Sequence, residues 1–142
     1  MAAPVDWLSD FVTYLALATG SGGHGAGTLG TNLFRFQYPS AFNADSLCTV
    51  VTPIGGPGFD AGLGIDFPAV QILHRCRTAD TAWEESQRLY HRLKECEPVR
   101  LGSNPYTGIN GIRALQAPFS LGQDEARAWV FVASYELDLV AE

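Results

Sequence analysis

Apolar and polar positions alternate most regularly near the C-terminal end of the chain. Trp129, Phe131, Ala133, Tyr135, Leu137 and Leu139 fall on one side of an extended segment over residues 128–140. Val130, Val132, Ser134, Glu136 and Asp138 fall on the other. A period of two marks a β-strand with one face in the core. Residues 67–77 repeat the pattern, with Val70, Ile72, His74 and Cys76 alternating with Ala69, Gln71, Leu73 and Arg75. Shorter runs predict strands at residues 32–38, 46–52 and 109–117, with Pro39 and Pro53 closing the first two.

The period changes to that of a helix in two places. Over residues 78–97, Ala82, Ser86, Leu89, Leu93 and Cys96 form one stripe, widened by Trp83 and Tyr90. Glu84, Glu85, Arg88, Arg92 and Lys94 then face water, Thr81 with Glu84 has capping-box spacing, and Glu84 with Arg88 makes an i, i+4 pair. Residues 4–18 carry Trp7, Leu8, Phe11, Val12 and Leu15 on one face, with Pro4 in the first turn and Asp6 and Asp10 near the positive end of the helix dipole. Two glycine-rich segments, about 20–30 and 54–64, have no period and read as flexible loops.

The predicted order is α-β-β-β-α-β-β in a single domain over residues 1–142. Two helices cannot cover both faces of a sheet this wide. The expectation is an α+β, two-layer sandwich: a roughly five-stranded, mainly antiparallel or mixed sheet with both helices on one face. The second face is left to solvent or to another subunit.

Composition sharpens this picture. With 46% hydrophobic and 17% charged residues the chain is too apolar for disorder. A net charge of −6 opposes a surface that grips phosphates. Cys48, Cys76 and Cys96 are widely spaced with no Cys-x-x-Cys pair, so they read as small buried hydrophobes in a reducing compartment. The first residues lack the basic start of a secretory signal, and no apolar run approaches the ~18 residues of a membrane span.

Candidate chemistry is sparse. Gly20, Gly22 and Gly25 match a dinucleotide fingerprint in spacing, but a helix precedes them and a strand follows, the reverse of what a bound pyrophosphate requires. His24, His74 and His91 lie far apart, and His91 and Cys96 do not share a helical face, so no metal site is expected. No nucleophile motif occurs, and Glu84 and Glu85 diverge around their helix. The expectation is no catalytic residue and no cofactor. Phe34, Phe36, Trp129, Phe131 and Tyr135 at period two read as core, since no basic cluster accompanies them for base stacking. What stands out is apolar character in loops: Pro57, Phe59 and Leu63 in the second glycine-rich segment, and Pro118, Phe119 and Leu121 before a turn. Together with Gly22, Gly23, His24 and Gly25 these are the candidate assembly residues, in loops that order on contact.

The segment Gly108 to Glu125, ending in Pro118-Phe119-Ser120-Leu121-Gly122-Gln123-Asp124-Glu125, leads into Trp129 to Glu136. It resembles the tail-terminator, or minor capsid, proteins of long-tailed bacteriophages. The strand at Val70 to Arg77 and the helix after it are similar too. The resemblance implies a structural virion protein, assembled in the host cytoplasm, whose homo-oligomeric and usually hexameric ring caps the tail tube. Such a ring ends tail polymerisation and offers a surface for head attachment. Its partners are itself, the tail tube protein and head–tail connector proteins. DNA passes through the hole without sequence-specific contact, and there is no membrane partner, cofactor or metal. A head–tail joining or tail-completion protein of the same virion is the alternative, with a small α+β enzyme behind it.

Overall fold

The computed structural model describes residues 7–17, 23–40, 42–60, 65–94, 98–101 and 107–140. Helices span Trp7–Ala16 (α1) and Ala79–Leu93 (α2). Strands span Leu33–Arg35 (β1), Cys48–Asp60 (β2), Ile65–Cys76 (β3), Val99–Leu101 (β4), Thr107–Gln123 (β5) and Trp129–Val140 (β6). They form one mixed sheet in the order β1-β2-β3-β6-β5-β4. The β1–β2 pair is parallel and every other pair antiparallel. The class is α+β, with six strands where the sequence suggests five.

The two central strands are those with the cleanest alternation. Val70, Ile72 and His74 of β3 lie level with Tyr135, Ala133 and Phe131 of β6, all buried. Leu89 and Leu93 of α2 and Leu8, Phe11, Val12 and Leu15 of α1 join these strands in one hydrophobic cluster. Both helices therefore cover the same face. Each of the largest of these side chains stabilises the fold by roughly 1.5–3 kcal/mol through burial.

Helix α2 begins at Ala79 behind the N-cap residue Thr78, whose side chain makes no capping hydrogen bond. Thr81 and Glu84 thus sit within the helix and exposed, so the expected capping box does not form. Arg88 pairs with Glu85, three residues back, through hydrogen bonds of 2.6 and 2.9 Å, and not with Glu84. Cys96 lies outside the described residues.

Three strand boundaries differ from expectation, each for a tertiary reason. Residues 54–60 are not a loop: β2 continues through them to pair Asp60 with Ile65. Its prolines and glycines are accommodated by register shifts at Pro53/Gly55 and Gly55/Gly58, where a missing N–H or side chain costs the ladder little. Strand β5 likewise runs on past Ala117 to Gln123, with four register shifts against β6. Strand β1, by contrast, is cut to three residues because Phe36 takes a left-handed φ of 69°.

The face away from the helices is not bare. Val50, Leu73, Val132 and Phe119 form a row across four strands. Val132 is 0% and Val50 4% exposed, so the curled sheet closes over its own centre. The expectation that this face is left to solvent or to another subunit does not hold at Val50 and Val132, while Phe119 in the same row is 36% exposed. Exposed apolar side chains include Leu29 and Phe36 towards one end of the sheet and Leu115, Phe119 and Leu121 on β5 towards the other.

Candidate assembly surface

Strand β5 is an edge strand for most of its length. On its outer side β4 pairs only with Thr107 to Ile109, and no other described strand pairs with it. From there to Gln123 one side of its backbone has no strand partner among the described residues. Pro118, which has no N–H to donate, is tolerated for that reason. Leu115 is 46%, Phe119 36% and Leu121 59% exposed along this edge. An open apolar edge strand is a template for another chain. Phe119 and Leu121 are thus strand residues at an edge and not, as expected, loop residues. Leu115 was missed because the bulges interrupt its alternation.

At the edge's far end, Asp124 organises the turn into β6. Its Oδ1 accepts hydrogen bonds from the Ala126 and Ala128 N–H groups at 2.9 and 3.0 Å. Its Oδ2 accepts from Nε of buried Arg75 at 2.5 Å. Burial works against the Asp124 charge, but the bond from Arg75 and those backbone N–H groups outweigh it and hold the carboxyl below its ordinary range. The Arg75 guanidinium also lies 4.6 Å from the centre of the Tyr38 ring. The Gln123-Asp124-Glu125 signature is therefore architectural: it fixes where β5 ends. Nearer the middle, Arg113 holds both carboxylate oxygens of buried Glu136 at 3.0 and 3.1 Å.

The first glycine-rich segment is anchored where it is described. Arg88 donates to the His24 and Gly25 carbonyls at 2.7 and 3.3 Å, and Arg92 donates to the Gly23 carbonyl at 2.9 Å and to His24 Nδ1 at 3.1 Å. The Gly25 and Ala26 N–H groups bond back to Leu17 and Leu15. His24 is 4% exposed and packs edge-on against Tyr14. Gly23, His24 and Gly25 are thus held against α1 and α2 and do not form a free assembly loop. Gly22 and Leu63 lie outside the described residues. Pro57 and Phe59 lie within strand β2, Pro57 at a register shift and Phe59 level with Asp66 of β3.

The other end of the sheet has its own apolar exposure. Leu29 is 50% and Phe36 58% exposed. They flank an open cleft of about 330 Å³ whose walls include Leu33 and Phe34.

One hydroxyl–imidazole pair has the geometry of a nucleophile and its base: Thr49 Oγ1 lies 3.0 Å from His74 Nδ1. Both residues are buried, at 1% and 2% exposure, beneath the helices. Burial above all, then Arg88, pushes His74 down to about 3, so the ring is neutral. The pair is a satisfied core contact with no path for a substrate. Among the described residues, no group of three His, Cys, Asp or Glu side chains is placed to hold a metal ion, and no helix is long and apolar enough to cross a membrane.

No protein-family model matches the sequence, and no characterised protein is significantly similar to it.

Proposed function

We propose that this protein is a structural assembly subunit that forms a homo-oligomeric ring, as a phage tail terminator does. The observation that carries the reading is the β5 edge, which beyond Ile109 has no outer strand partner among the described residues and carries exposed Leu115, Phe119 and Leu121. A strand edge of this kind is normally blunted by charge or covered. Here its apolar side chains stand ready for a partner.

The resemblance supplies the form of the assembly: a ring, hexameric in that family, that caps the tail tube and then meets the head connector. The acidic balance of −6 suits a hole through which DNA slides without being gripped. Ion pairs tie strands and the turn after β5 together, Arg75 to Asp124 and Arg113 to Glu136, and support a mechanical role.

The test is to mix the purified protein with polymerised tail tubes and image the mixture by negative stain. Rings seated at tube ends support the reading. Tubes with bare ends beside protein that forms no ring sink it. A head–tail joining role predicts binding to connector rings and none to tube ends.

A further inference from the structure

Residues 23–26 form a strap laid across the end of α1 and the second half of α2. Arg88 and Arg92 hold the Gly23, His24 and Gly25 carbonyls from one side, and the Gly25 and Ala26 N–H groups bond to Leu17 and Leu15 on the other. Beyond Ala26 the chain passes through Gly27, whose φ of 133° suits glycine and few other residues. It then enters a tight turn in which the Asn32 and Leu33 N–H groups bond to the Thr28 carbonyl. The strap therefore has its own hinge. Its closed position covers apolar surface: Ala26 joins Leu15 in the core, and Tyr14, 7% exposed, meets the edge of the His24 ring.

One contact in the strap depends on a proton. The Arg92 Nε–H group donates to His24 Nδ1 at 3.1 Å. A guanidinium has donors only, so Nδ1 presents a lone pair and the ring proton sits on Nε2. Nε2 is buried without a hydrogen-bond partner among the described residues. A second proton would have to go on Nδ1. There it meets the Arg92 N–H and turns a hydrogen bond into a repulsion between two cations. The groups that face the strap are Tyr14 from α1 and Arg88 and Arg92 from α2, and Glu85 already holds Arg88 through two bonds. Burial first, then both arginines, accordingly push His24 down to about 4.

We propose that residues 23–26 are a proton-released strap: a proton taken up on His24 Nδ1 breaks the Arg92 contact, and the segment swings on Gly27 away from both helices while the sheet stays folded. Opening frees the Arg88 and Arg92 donors and uncovers Tyr14 and Leu15, a surface hidden at neutral pH. The proposal is independent of the assembly reading. In the open strap His24 titrates near 6.5. Closure is therefore favoured in full above about pH 6.5 and loses ground as pH falls toward 4. Each pH unit in that window changes the balance by up to about tenfold, so the open fraction should rise about 20-fold between pH 7 and pH 5.

Amide hydrogen exchange followed by NMR decides it, with rates corrected for the intrinsic effect of pH. In the wild-type chain the Gly25 and Ala26 amides should be less protected at pH 7 than those of β3 and β6, and should lose about 20-fold in protection by pH 5. His24→Asn places a non-titrating acceptor, Oδ1, where Nδ1 stood, and should keep that protection constant. His74→Gln should leave the fall intact, because His74 lies beneath the helices and acts on global unfolding. A fall that persists in His24→Asn overturns the proposal. So does a fall abolished by His74→Gln, or wild-type Gly25 and Ala26 amides that exchange only as the central strands do, since either makes the event global. If His24→Asn leaves the strap open at every pH, the His74→Gln chain decides. There a loss of protection that tracks the His24 ring resonances supports the strap, and one that does not track them overturns it.

Discussion

Arg75 on β3 and Asp124 at the end of β5 meet at 2.5 Å, although 49 residues separate them. The pair joins a central strand to the turn that terminates the edge strand. Arg75 is 4% exposed and its Nη1 is buried without a hydrogen-bond partner, so it depends heavily on this one carboxylate. Asp124→Ala should cost about 2–4 kcal/mol, below the full range for a buried pair because the aspartate is a quarter exposed. Urea unfolding measures the loss. The double variant Arg75→Met, Asp124→Asn should recover most of it, since no unpaired charge remains buried; equal losses in the two chains would contradict this account.

Stability should fall as pH drops below neutrality because two histidines are buried neutral. Burial first, then Arg92 and Arg88, pushes His24 down to about 4, and His74 is pushed down to about 3. An unfolded histidine titrates near 6.5, so the unfolded chain takes up protons first as pH falls. The contribution is complete above pH 6.5 and is lost progressively down to the folded values. Each ring adds a slope of about 1.4 kcal/mol per pH unit within that window. Urea midpoints between pH 7 and pH 5 should show it, and His74→Gln should remove about half. A slope unchanged by that substitution would mean the ring is not buried neutral.

Gly23 has no room for a side chain. A Cβ there would lie 2.3 Å from the Cβ of Leu17 and 2.5 Å from its carbonyl oxygen. Gly23→Ala should force the segment off the end of α1 and cost about 1–3 kcal/mol, read from thermal unfolding. It should also raise hydrogen exchange at the Gly25 and Ala26 amides, which bond to Leu17 and Leu15.

Cys48 should resist thiol reagents in the native state. It is 0% exposed, and burial, against a smaller opposing pull from Arg75, pushes its thiol up to about 11. Mass spectrometry after alkylation at pH 8 should find it unmodified in the folded chain and fully modified in urea.

Residues whose own spacing carries the period were legible from the sequence alone. The alternation of β6 and β3, and the 4-3-4 steps of α2 through Ala82, Ser86, Leu89 and Leu93, report burial directly. Residues 54–60 were not legible, because prolines and glycines have no strand preference, and Gly55, Gly58, Phe59 and Asp60 are extended because β3 pairs with them. The Phe119–Leu121 stretch was recognised as unusual but misplaced in a loop, since bulges disturb its alternation. Arg88 and Arg92 looked like a solvated helix face. Their partners include backbone carbonyls of Gly23, His24 and Gly25, more than 60 residues earlier, and no local pattern marks a carbonyl as an acceptor. The union of Arg75 with Asp124 is long-range in the same way. Turn chemistry around Gly122 to Glu125 was readable; the cation it serves was not.

Strand β6, synthesised after both of its neighbours, sits between β3 and β5. Until it emerges, neither neighbour can complete its ladder, and the buried sides of α1 and α2 lack Tyr135 and Leu137 to rest on. The synthesis of β6 is therefore the step that closes the sheet. A nascent chain stalled before Trp129 should be sensitive to proteases and prone to aggregate, and a chain extended past Val140 should acquire protection all at once.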